Sequence, residues 1–64
     1  MGTRRELDLR LEAYRALLWR KNQELADTPA EKRIKRMTLG REIADINELI
    51  RKTKRIIYGL SNND

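Results

Sequence analysis

Two stretches of this chain repeat apolar residues at alternating intervals of four and three, and this spacing constrains the fold more than any other feature. Such spacing is typical of the a and d positions of a coiled coil, which line one side of an α-helix. Lys21 interrupts the first series. The first series is Leu7, Leu11, Tyr14, Leu18 and Leu25, and the second is Leu39, Ile43, Ile46, Ile50, Thr53, Ile57 and Leu60. The pattern predicts two helices, each with one apolar seam.

Two helix-start signals divide the chain. Thr3 with Glu6 fits a capping box, in which each side chain bonds the backbone amide of the other residue. Thr28 with Glu31 repeats this pattern, and Pro29 fits the first helical position, where its missing N–H does no harm. The predicted bounds are a helix over 4–26, a turn at 27–28, a helix over 29–58 and a polar tail over 59–64.

Two glycines bear on the second helix. Gly59 fits the left-handed residue that often follows a helix C-terminus, so the helix is expected to end there. Gly40 lies inside the predicted helix, where a glycine costs only about 1 kcal/mol relative to alanine. A continuous second helix is therefore favoured, and a break at Gly40 that gives three helices remains the alternative.

The short connection favours an antiparallel hairpin. When the two series are folded about this connection, four successive layers align in one register. The pairs are Leu7 with Ile50, Leu11 with Ile46, Tyr14 with Ile43, and Leu18 with Leu39. The sequence therefore predicts an all-α fold, with a single domain over residues 1–64 built as an antiparallel two-helix hairpin.

The length of the chain indicates self-association. A domain of 64 residues buries a modest share of its surface and usually needs a disulfide, a metal or a second subunit. The chain contains no Cys and no His, so a second subunit is the remaining means of stabilisation. Two hairpins closing into a dimeric four-helix bundle would bury the apolar residues that lie off the seam. The predicted dimer interface is Leu9, Ala13, Ala16, Leu17, Trp19, Ile34 and Met37. The alternative is that these are ordinary scattered surface residues.

The positive charge is concentrated in the second helix. The chain has 15 Lys and Arg against 10 Asp and Glu, a net charge of +5. Cations near a helix start oppose the helix dipole, so residues 32–36 need another explanation. Arginines on one side of a helix can contact phosphates with little base reading. The predicted nucleic-acid-binding residues are Arg33, Arg36, Arg51, Lys52, Lys54 and Arg55. Their expected partner is an RNA or DNA backbone, and the alternative is an acidic protein.

Other function classes lack support in the sequence. Without His or Cys, the candidate catalytic groups are carboxylates, lysines and hydroxyls, and Glu42, Asp45 and Glu48 fit ordinary ion pairs on a helix surface. We expect no enzyme, no catalytic residues, no metal site and no cofactor. No apolar stretch approaches the ~20 residues of a membrane span, and the N-terminal residues include no apolar run of signal-peptide length. A soluble, cytoplasmic protein with no membrane partner is expected.

The layout of the chain resembles the Rop family of plasmid copy-number regulators. The likeness covers a long helix, a tight turn at "ADTPAE", a second helix and a polar tail after "YGL". This resemblance implies a hairpin that dimerises into a four-helix bundle and binds paired RNA hairpins through one bundle face. No RNA-contacting side chain of that family is matched to a position here.

A second resemblance is to helix-turn-helix proteins. The segment "TLGREIADI", residues 38–46, is similar to the opening of such a motif, but Glu48 stands where its turn usually has glycine.

The favoured prediction is a small homo-oligomeric regulator that contacts nucleic acid through basic helix faces. The alternative is a phage- or plasmid-type adaptor that binds a protein and no nucleic acid.

Overall fold

The chain folds into two α-helices that pack against each other as a hairpin. The computed structural model describes residues 3–62, in which α1 spans Thr3–Asp27 and α2 spans Arg33–Asn62. The hairpin is a rod measuring 51 × 15 × 11 Å. The prediction of an all-α helical hairpin is confirmed.

The connection between the helices is longer than predicted. The Thr28 hydroxyl donates to the Glu24 carbonyl at 2.7 Å, and the Thr28 amide donates to the Leu25 carbonyl at 3.1 Å. The Lys32 amide bonds the Pro29 carbonyl at 3.1 Å and closes a separate turn. The predicted capping box at Thr28 and the helix start at residue 29 are therefore wrong, because Thr28 completes the last turn of α1.

Arg36 links the start of α2 to the end of α1. The last carbonyls of a helix have no partner within that helix and need one from elsewhere. The Arg36 Nη1 atom donates to the carbonyls of Leu25 at 3.2 Å and Thr28 at 2.8 Å. Its own amide bonds the Lys32 carbonyl at 3.0 Å. Arg36 thus caps the C-terminus of α1 from a position at the start of α2.

The second helix is continuous and ends later than predicted. It passes through Gly40 without a break, which confirms the favoured continuous helix. It also passes through Gly59, and no glycine of the described residues has the positive φ that a left-handed C-terminal cap requires. The predicted end at residue 58 is therefore wrong, and residues 59–62 are helical instead of a tail. Residues 63–64 lie outside the described part of the chain.

The buried apolar side chains belong to the predicted seam. Leu7, Leu39, Ile46 and Ile50 are buried together with Thr53, whose hydroxyl donates to the Leu49 carbonyl of its own helix at 2.8 Å. This internal bond lets Thr53 occupy an apolar seam without leaving an unpaired polar atom. The half-buried apolar residues are Leu11, Tyr14, Leu18, Leu25, Ile43 and Ile57. The core is thus one narrow strip between two helices.

An ion pair accommodates the lysine that interrupts the seam. Side chains on a helix lean toward its N-terminus, so residues on antiparallel helices can lean toward each other. Lys21 Nζ meets Glu42 Oε1 at 3.4 Å in this way, and both side chains are partly exposed. A partly exposed pair contributes at most about 1 kcal/mol, so its main effect is to allow a cation beside the seam.

The rod exposes more surface than a compact protein of its mass. Its accessible surface is 5447 Å². A compact monomer of 7.6 kDa is expected to expose ~4,300 Å². No side chain of the described residues is less than 2% exposed. A single hairpin therefore leaves much of its apolar surface in water.

Replacing Arg36 tests the capping contact. We expect Arg36→Gln to lower the free energy of unfolding by about 1 kcal/mol, because two carbonyls at the end of α1 lose a charged donor. For a domain of this size the melting temperature falls by roughly 4–8 °C, measured by far-UV circular dichroism at fixed protein concentration.

Arg33→Gln is the matched control, since it removes the same charge from the same end of α2. It should melt at the wild-type temperature or slightly higher, because it relieves an unfavourable contact with the helix dipole. Equal melting temperatures for the two variants would contradict the capping role of Arg36.

Candidate nucleic-acid interface

The seam leaves two broad faces on the hairpin, each made of one side of α1 and one side of α2. Because a helix repeats every 3.6 residues, the buried seam fixes where other side chains lie around each axis. A shared groove and an ion pair show which side of α1 is adjacent to which side of α2. Arg15 and Lys54 line one groove between the helices, whereas Lys21 meets Glu42 on the opposite side.

The first broad face carries a groove at the open end of the hairpin. Both helices contribute to it, and its aromatic residue, Tyr58, is 69% exposed. One of its cations, Arg4, has its Nε atom 3.7 Å from Asp8 Oδ2 on the next turn of α1. The groove is lined by Arg4, Asp8, Leu11, Arg15, Lys54, Ile57 and Tyr58.

Helical periodicity places six cations and one acid on this first face, which we call the arginine face. The cations are Arg4, Arg15, Arg33, Arg36, Arg51 and Lys54, and the acid is Asp8, with Glu12 at the edge of the face one turn from Asp8. At 1.5 Å of rise per residue, Arg36 and Arg51 are ~22 Å apart along α2. Arg15 on α1 lies level with the middle of that interval. The two helices together thus supply positive charge along most of the face.

The second broad face is different in both charge and polarity. Four cations and four acids lie on it, so its net charge is close to zero. The cations are Arg10, Lys21, Lys35 and Lys52, and the acids are Glu6, Glu24, Glu42 and Asp45. Four exposed apolar side chains also lie there: Leu17, Leu49, Ile56 and Leu60. We call this surface the leucine face.

The structure distributes the predicted nucleic-acid-binding residues over more than one surface. Arg33, Arg36, Arg51 and Lys54 lie on the arginine face. Arg55 lies on the outer edge of α2, in a shallow groove that Glu48 also lines. Lys52 lies toward the leucine face, and its Nζ atom is 3.8 Å from Glu48 Oε1.

The contribution of α1 to the arginine face was not predicted from the sequence. Arg4 and Arg15 were not among the predicted residues, because those were chosen from the dense charge of the second helix. Both lie next to the seam, since Arg15 is four residues after Leu11 and Arg4 is seven residues before it. This position relative to the apolar series was the signal that could have identified them.

The seven predicted dimer-interface residues are all exposed, but they do not share one surface. Leu17 lies on the leucine face, and Ala13 lies at its α1 edge. Helical periodicity places Leu9 and Ala16 on the outer side of α1, and Trp19 at the edge of the arginine face. Met37 lies on the outer side of α2 near the turn, and Ile34, five full turns before Lys52, lies toward the leucine face.

Three further findings concern the described residues. Residues 38–46 lie inside the uninterrupted helix α2, and no turn follows them, so the helix-turn-helix alternative is wrong. Within residues 3–62, no group of three or more acidic, His or Cys residues is arranged to hold a metal ion. None of the described helices is long and apolar enough to cross a membrane.

Comparisons with protein-family models, curated protein sequences and solved structures gave no match to this chain. The resemblance to the Rop family stays a resemblance of layout. The geometry and charge of the two faces are therefore the basis for the function proposed below.

Proposed function

We propose that this protein is a small homodimeric regulator that binds the backbone of double-stranded nucleic acid through its arginine face. The observation that carries this proposal is the convergence of cations from both helices on one open face that has a single acid. Cations at several points along a straight face suit repeated phosphate contacts.

Such binding would depend little on the base sequence of the nucleic acid. Arg and Lys contacts to phosphates position a protein on a duplex, whereas base edges in the grooves carry the sequence information. The arginine face is a side of two packed helices and presents long, flexible side chains. Tyr58 adds a hydroxyl donor that suits phosphate or sugar oxygens. We therefore expect affinity that depends on salt and on duplex shape more than on base order.

Self-association is proposed to use the leucine face. The hairpin exposes ~1,100 Å² more than a compact protein of its mass. A standard interface buries ~800 Å² per partner, so one such contact would offset most of this excess. The near-zero charge of the leucine face allows a second copy to approach, whereas two arginine faces would repel each other. Two hairpins stacked in this way form a four-helix bundle with the arginine faces outward.

A titration of duplex RNA and duplex DNA at 50 and 200 mM salt tests the nucleic-acid proposal. If six cations each meet a phosphate, affinity should fall by at least about 10³-fold between these conditions. Mobility shift or fluorescence anisotropy with a labelled duplex measures this change. If neither duplex bound at 50 mM salt, the nucleic-acid proposal would be contradicted and the alternative of a protein-binding adaptor would remain.

Charge-neutral variants locate the binding surface. Arg15→Gln with Lys54→Gln removes two cations that line the groove, and should lower the slope of log affinity against log salt by about 2. Arg5→Gln with Arg20→Gln removes the same charge from the outer side of α1 and should leave the slope near the wild-type value. If the slope fell equally in the two double variants, net charge and not the arginine face would determine binding.

Analytical ultracentrifugation tests the dimer and its surface. We expect twice the 7.6 kDa chain mass for the wild-type protein and one chain mass for Leu49→Glu with Ile56→Glu, since four buried like charges oppose assembly. Leu9→Glu with Met37→Glu adds the same charge on the outer sides and should remain dimeric. A dimer that survives the first variant but not the second would move the interface to the outer sides.

A further inference from the structure

The most exposed apolar side chains of the described residues lie beside the turn. Ile34 is 82% exposed and Met37 is 71% exposed. They are one helical turn apart near the start of α2, where they line a shared depression with Thr38 and Arg41. We call these four residues the turn patch. Neither the seam nor the arginine face uses them.

Positive charge surrounds the turn patch. Five cations lie within seven residues of Ile34 along the chain, against two acids, Asp27 and Glu31. The first turn of α2 contains no acidic residue, so these cations are not neutralised there by neighbours in the helix. The five cations are Lys32, Arg33, Lys35, Arg36 and Arg41.

We propose that the turn patch binds an acidic amphipathic helix of a partner protein. Ile34 and Met37 would pack against two apolar residues of that helix, because side chains one turn apart form a ridge that fits a helix groove. The surrounding cations would pair with carboxylates on the flanks of the partner helix. A phosphate backbone satisfies the cations but leaves the apolar pair in water, so charge and polarity together favour a protein. This proposal does not depend on the nucleic-acid function.

A pair of synthetic helical peptides tests this proposal. Both carry two leucines one turn apart, and one carries glutamates on the flanking positions where the other carries lysines. In fluorescence anisotropy the glutamate peptide should bind and the lysine peptide should not. Ile34→Ser with Met37→Ser should weaken binding of the glutamate peptide at least tenfold. Because both side chains are exposed, circular dichroism should show an unchanged fold.

Leu9→Ser is the control, because Leu9 is an exposed leucine on the outer side of α1. It should bind the glutamate peptide as the wild-type protein does. The proposal is overturned if the glutamate peptide does not bind, or if both peptides bind alike. It is also overturned if the Ile34 and Met37 variant keeps its affinity for the glutamate peptide. The same holds if that variant keeps the peptide but no longer binds duplex RNA or anionic phosphatidylglycerol vesicles.

Discussion

The packing of α1 against α2 along one narrow seam is the interaction on which the rest of this structure depends. A chain of 64 residues without Cys or His has neither disulfides nor the common zinc ligands to hold it together. Two rods joined along a strip bury one side of each and leave the remaining sides in water. The seam therefore determines both the stability of the hairpin and the surfaces available for function.

The seam also separates the charges of the chain into two faces. Arg15 and Lys54 lie on one side of it, and the Lys21–Glu42 pair lies on the other. Because the cations on one side have almost no acids among them, that side carries a positive potential that attracts anionic partners. The other side combines balanced charge with exposed Leu and Ile, a combination that suits contact between identical chains. One packing arrangement thus accounts for both proposed activities.

The sequence predicted the features that depend on periodicity. Helical spacing identified the hairpin, the buried seam and the continuous path through Gly40, since each follows from local geometry. Features that depend on competition between elements were not predictable. The hydroxyl of Thr28 could cap either helix, and it bonds Glu24 in α1. The contact of Arg36 with the end of α1 and the joining of Arg15 with Lys54 in one groove arise only when the helices come together.

Both proposed surfaces depend on contact between the apolar residues of α1 and α2 within one chain, and methyl NMR measures that contact directly. A sample that mixes isotope-labelled and unlabelled chains separates contacts within a chain from contacts between chains. We expect nuclear Overhauser effects between Leu7 and Ile50, and between Leu18 and Leu39, within a single chain. If these signals occurred only between different chains, the hairpin would be an exchanged assembly and the division into an arginine face and a leucine face would be contradicted.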